Sequence, residues 1–276
     1  MLATRVARVG REMTALWLAA TAVTPRLDPP ARRQLARRQA GRTLRALGAR
    51  IRAFGTPPAA DEPLLVVANH VSWLDVYAVG AHLDVRFVAK AETRSWPVAG
   101  TIMRGFDAIF IVRGSFRDAH RVKNAVASAL RAGERVVAFP EATTTGGHHV
   151  RPFFGALFQA AIDARARVLP VAIRYPTPLG HPNPSAAFVD DMTFGASLLR
   201  VLRERDLRLE LHWGPTLATE GTSRRVLAAM AHAWISDALA TPRWVEAPRP
   251  RLRDRLSSGL AAGPFRFPPA AGTQPA

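Results

Sequence analysis

Residues 64–75 read LLVVANHVSWLD, and their order decides the fold. The run Leu64–Ala68 carries no polar side chain, the pattern of a strand covered on both faces. It ends on Asn69 and His70, and a carboxylate, Asp75, follows five positions after the histidine. If the chain bends at Ser72 and enters a helix, Asp75 lies one turn from His70. A carboxylate on one imidazole nitrogen fixes the tautomer and favours the charged form. The other nitrogen is then free to take a proton from a hydroxyl as a general base.

Outward from this stretch, short apolar runs alternate with helix-like segments. VRFVAK, AIFIV, RVVAF and VLPVAIRY read as strands, with AAFV and LRLELHW as later pieces. Helices are expected over about 116–131, through FFGALFQAAIDA, near 196–204 and over 223–239. This is an α/β pattern: a mostly parallel central sheet flanked by helices, with an N-terminal amphipathic helical segment. Ligands of such sheets bind in loops at the carboxyl ends of the strands, where His70 stands.

The chain has 276 residues, no cysteine and a formal net charge of +17. The absence of cysteine excludes disulfides, thiolate metal sites and a thiol nucleophile. The charge is uneven. Residues 1–56 hold twelve Arg against Glu12 and Asp28, and residues 243–276 hold six Arg against Glu246 and Asp254. The middle is nearly balanced. A nucleic-acid enzyme more often spreads positive charge along a groove in its body. Basic ends beside apolar residues suit an anionic membrane surface.

Within the first segment, Met13–Val23 is an apolar run too short to span a bilayer, which takes roughly 20 residues. Arginines before it and small residues after it resemble a signal peptide. With no clean cleavage site, an interfacial helix is the favoured reading. Ala36, Ala40, Leu44, Leu47 and Ile51 then recur at helical spacing among arginines. The loop GTPPAADEP marks a boundary. Three regions result: basic amphipathic membrane-associating helices over 1–56, a catalytic domain over 57–241, and a disordered Pro- and Arg-rich tail over 242–276.

Other chemistries lack their motifs. There is no G-x-S-x-G elbow, no P-loop and no H-E-x-x-H. His148 and His149 are adjacent, so in an extended chain they face opposite ways and do not share a metal. A base without a nearby nucleophile points to direct transfer, in which the substrate's own hydroxyl attacks. Two more strands end in candidate polar groups: IFIVR in Arg113, and AFPEATTT in Glu141, Thr143 and Thr144. An arginine fork suits phosphate or carboxylate, and threonine hydroxyls and loop amides can serve the same anion.

Together these stretches resemble the lysophospholipid acyltransferases that convert lysophosphatidate to phosphatidate. NHVSWLD matches the Asn-His-x-Ser-x-x-Asp block with its His-x4-Asp core, and IFIVR matches the second block. FPEATTT stands where the family usually has Phe-Pro-Glu-Gly-Thr-Arg-Ser, and VLPVAI matches the fourth block through Pro170. The resemblance covers about residues 60–215.

It implies His70 as general base and Asp75 as its orienting carboxylate. It places Asn69, Ser72, Lys90, Arg113, Glu141, Thr143 and Thr144 around the substrate. It implies acyl-CoA or acyl-carrier protein as co-substrate, no cofactor, no metal and no nucleic acid. The partners would be an anionic membrane and a lysolipid acceptor, at the cytoplasmic face of the inner membrane, peripheral or monotopic. Ala142 replaces the usual glycine and Thr144 the usual arginine, so the third block lacks its phosphate contact. Threonine-rich versions resemble a proteobacterial branch that includes lyso-ornithine lipid acyltransferases, the alternative acceptor. From charge alone, a non-catalytic membrane- or nucleic-acid-binding protein is the alternative of another class.

Overall fold

Two helices lead into the sheet in this computed structural model, which describes residues 2–59, 62–112, 116–189 and 191–240. The first, α1, spans Leu2–Leu18 and the second, α2, spans Pro29–Ala46. Between them the path widens to a π turn over Ala19–Val23 and tightens to a 3-10 turn over Thr24–Arg26. Asp28 caps α2, its carboxylate accepting the Ala31 N–H at 2.7 Å, with Pro29 in the first helical position. Among the described residues no helix is long and apolar enough to cross a membrane.

The sequence expectation that α2 runs through Ile51 is corrected here. Gly48 adopts a φ of +74°, a conformation that ends helices, and Arg50–Phe54 forms the strand β1. The Arg50 N–H bonds the Leu207 carbonyl at 2.8 Å, which starts the ladder. The first 56 residues therefore contribute a strand to the sheet. Their α2 packs on the sheet's own helices, with Leu44 and Leu47 buried.

The remaining strands are β2 (Leu64–Ala68), β3 (Arg86–Lys90), β4 (Ile109–Ile111), β5 (Arg135–Ala138), β6 (Arg167–Arg174) and β7 (Arg208–Trp213). The order across the sheet is β1-β7-β6-β2-β5-β3-β4, and every pairing is parallel except β6 with β7. AAFV, expected as an extended piece, is irregular; the Phe188 N–H bonds the Val71 carbonyl at 2.9 Å and pins this segment over the site loop.

The described residues hold six further α-helices: α3 (Leu74–Gly80), α4 (Ala99–Gly105), α5 (Phe116–Arg131), α6 (Ala156–Ala164), α7 (Phe194–Arg203) and α8 (Arg224–Ala240). Alternate residues of β2 face opposite layers, as strand geometry requires. Leu64, Val66 and Ala68 pack with α2, α3 and α7, while Leu65 and Val67 pack with α5, α6 and α8. All five are fully buried, each contributing roughly 1.5–3 kcal/mol where a large aliphatic side chain leaves water. β2 is thus a rigid central strand, and its carboxyl end is a fixed platform.

The expected tail from residue 242 lies outside the described residues.

Candidate active site

The chain leaves β2 at Ala68 and turns through residues 69–73 before α3 begins. Three anchors hold this turn. Asn69 is buried, and its amide bonds both ways to β6: its Nδ2 donates to the Ile173 carbonyl at 2.9 Å and its Oδ1 accepts the Ile173 N–H at 2.8 Å. The His70 N–H donates to Glu141 Oε1 at 2.7 Å. The His70 carbonyl accepts the Thr145 N–H at 2.8 Å. Both backbone groups of the histidine are therefore fixed from the loop after β5.

Asp75, in the first turn of α3, is fully buried. Its Oδ2 lies 2.8 Å from His70 Nδ1 and also accepts the N–H groups of Val71 at 2.8 Å and Ser72 at 2.9 Å. Its Oδ1 accepts the hydroxyl of Tyr175 at 2.6 Å. Four donors surround one carboxylate, which answers the cost of burying its charge. The imidazole stacks on Phe139 at 4.0 Å between ring centroids, and its side chain keeps 17% exposure. With Nδ1 facing Asp75, the Nε2 nitrogen is left to receive a proton. The Ser72 hydroxyl is buried without a hydrogen-bond partner, and no hydroxyl or thiol among the described residues bonds the imidazole.

Glu141 follows β5 and is buried. Its Oε2 accepts the Arg151 N–H at 2.8 Å. Burial pushes its carboxyl above the usual glutamate range, and the N–H donors from Arg151 and His70 only partly oppose that rise. Burial, then the adjacent Asp75 charge, pushes the Tyr175 phenol well above its ordinary value, so it stays a donor.

The expected site residues thus divide. His70, Asp75, Asn69, Ser72, Glu141 and the threonines converge at the carboxyl ends of β2 and β5. Asn69 and Glu141, expected around the substrate, have their polar atoms taken up by the protein's own backbone. Thr144 donates its hydroxyl to the Phe188 carbonyl and ties two loops together. Thr143 is half-buried. Lys90 ends β3 on the same sheet edge, exposed, with Glu92 at 3.3 Å from its ammonium. Arg113 lies outside the described residues.

Sequence reasoning missed Tyr175 and Phe139. Tyr175 lies 100 positions from Asp75, so no local spacing points to it. A faint signal exists: it is one of only two tyrosines, and it directly follows the strand of the fourth block.

Comparison with known proteins bears on the family and the fold. A family model described as Acyltransferase matches residues 48–174. The lyso-ornithine lipid O-acyltransferase of Pseudomonas aeruginosa is 35% identical over 226 residues, 82% of this chain and 86% of that one. The 1-acyl-sn-glycerol-3-phosphate acyltransferase of Neisseria gonorrhoeae is 48% identical over 120 residues, 43% of this chain and 47% of that one. Among solved structures, the 1-acyl-sn-glycerophosphate acyltransferase of Thermotoga maritima shares the fold with a TM-score of 0.61. That match covers 88% of this chain and 100% of the other at 20% identity.

Proposed function

This chain belongs to the lysolipid acyltransferase family, and from that premise we propose that it acylates the free hydroxyl of lysophosphatidate, giving phosphatidate, with acyl-CoA or acyl-carrier protein as donor. One observation carries the reading: an imidazole bonded through Nδ1 to a buried carboxylate, with no hydroxyl or thiol among the described residues bonded to it. His70 takes the proton of the acceptor hydroxyl at Nε2 as the oxygen attacks the thioester carbonyl. The carbonyl oxygen becomes an oxyanion. When the tetrahedral centre collapses, the C–S bond breaks and the imidazolium returns its proton to the departing thiolate. The products are an ester and a free thiol, and no acyl-enzyme forms. Asp75 stabilises the imidazolium between the two proton transfers.

In this reading Asn69 and Glu141 act by holding the His70 backbone. Lys90, Arg113 and Thr143 serve the acceptor's head group. An anionic bilayer surface supplies that acceptor. α1 and the turn after it leave Trp17, Leu18 and Val23 exposed near arginines, the composition of an interfacial element.

A second acceptor, lyso-ornithine lipid, is favoured by a specific feature. Position 144 carries a threonine whose hydroxyl is already bonded to Phe188, so the third block offers no cation to a phosphate. A relative matched along most of its length is named for that acceptor. Purified protein with palmitoyl-CoA and either lysolipid, followed by thiol release and lipid mass, separates the two. Product from lysophosphatidate alone supports the first reading. Product from lyso-ornithine lipid alone transfers the same chemistry to the second. No product from either, with CoA or carrier-protein donors, sinks both.

A further inference from the structure

Asp75 is held from two sides, and its second side is supplied from outside the block that contains the dyad. Oδ2 has three donors, all within residues 70–72. Among the described residues Oδ1 has one, the Tyr175 hydroxyl at 2.6 Å. Both residues are buried, with Tyr175 at 3% exposure and Asp75 at 0%, so solvent does not stand in for the phenol.

The origin of that phenol is itself fixed. Tyr175 follows β6 directly, and β6 is clamped to the end of β2 by the paired bonds between Asn69 and Ile173, two residues upstream. Asn69 extends the β2–β6 ladder past the last strand pair, Ala68 with Val171. The clamp sets where Tyr175 stands, and Tyr175 carries that placement to the carboxylate.

Resting on the reading of His70 as general base, we infer that Tyr175 is a positioning residue of the acyl-transfer reaction. Its hydroxyl fixes the rotation of the Asp75 carboxylate that aims Oδ2 at His70 Nδ1. A carboxylate with one bare buried oxygen would turn toward other donors, and the imidazole would lose its alignment. The phenol is buried and bonded to the carboxylate, so its removal is expected to lower turnover and leave binding unchanged. Because it donates to a charged acceptor, the loss expected from removing the hydroxyl is about tenfold in kcat.

The test is Tyr175→Phe, which removes one oxygen and keeps the ring, measured alone and in the Asp75→Asn background. The expected result is kcat down about tenfold, with KM for donor and acceptor unchanged. In the Asp75→Asn background the second substitution adds almost nothing, because Tyr175 acts through Asp75. An unchanged kcat in Tyr175→Phe overturns the inference. So does an equal loss in both backgrounds, or a rise in KM at constant kcat. If Tyr175→Phe melts below the assay temperature, 3-fluorotyrosine replaces both tyrosines and alters donor strength while keeping the hydroxyl. A changed kcat at constant KM then supports the inference, and an unchanged kcat overturns it. His70→Ala runs alongside. If it retains activity, the general-base reading falls; if it is inactive while Tyr175→Phe is normal, only the role of Tyr175 falls.

Discussion

The two halves of the site lie on one sheet edge and are built differently. At the ends of β2 and β5, His70, Asp75, Asn69 and Glu141 are tied by short hydrogen bonds that are buried or partly buried. At the end of β3, Lys90 is exposed and paired with an exposed Glu92. Buried, hydrogen-bonded groups have one geometry and carry out one kind of chemistry. Exposed charges adapt to whatever anion arrives, and water screens them. In the proposed reading the first half specifies the reaction, and the second half selects the acceptor only loosely.

The largest effect expected falls in the buried half. His70→Ala removes the proton acceptor, and kcat drops by about a thousandfold or more. The variant stays folded, because the imidazole lies at the edge of the core with part of its surface exposed. A circular dichroism spectrum and a melting curve check the fold, and a thiol-release assay checks the rate. Substantial transfer by a folded His70→Ala would break the comparison at its strongest point, since the buried half would then not be the reactive one.

Glu141→Gln comes next. An amide has one acceptor oxygen, so only one of the N–H groups of His70 and Arg151 keeps its bond. A buried donor left unpaired costs about 1–3 kcal/mol, read as a lower melting temperature. The pH dependence sharpens this. Burial raises the proton affinity of the Glu141 carboxyl, so the folded chain binds that proton more tightly than the unfolded chain does. The stability contributed by that shift is full below the ordinary glutamate range and is lost as pH rises through the raised value. Melted side by side from acidic to neutral pH, wild type loses stability relative to Glu141→Gln as pH rises. A constant difference would mean that burial does not govern this carboxyl.

Lys90→Ala probes the exposed half and is smaller. An ammonium shared with Glu92 in water contributes little, so KM for an anionic acceptor rises about two- to fivefold with kcat unchanged. High salt should shrink the difference. A hundredfold effect would show that the exposed half holds its ligand as strictly as the buried half holds its dyad.

The same contrast governs what the sequence alone made legible. β2 announced itself because every residue of it is apolar and buried. The dyad was legible because five positions of local chain bring its members together. β1 was hidden because it is an edge strand, RIRAF, whose exposed arginines resemble the face of a basic helix. The reversed direction of β7 was hidden because nothing in a run of side chains records which way a strand points. Tyr175, the backbone role of Asn69 and the bond of Glu141 to the His70 N–H were hidden for one reason: those partners lie 71 to 104 positions away, and only the packed sheet brings them close.

The smallest expected effect bears on the loop after β5, beside Glu141. Ala142 follows Glu141 with a φ of +58°, where an L-residue with a Cβ is strained by about 1–2 kcal/mol. Glycine relieves that strain but gives the unfolded chain more freedom, which takes back about 0.4–1 kcal/mol. The net expectation for Ala142→Gly is a stabilisation below about 1 kcal/mol, seen as a small rise in melting temperature. The position also separates two explanations of the altered third block. If alanine only strains the turn, Ala142→Gly raises stability and leaves the ratio of the two acceptors unchanged. If the methyl group shapes the surface next to Thr143, the acceptor ratio moves toward whichever lysolipid the wild type uses less. The second outcome would place part of the acceptor choice in the buried half, beside Glu141, and would redraw the boundary between the half that specifies the reaction and the half that selects the lipid.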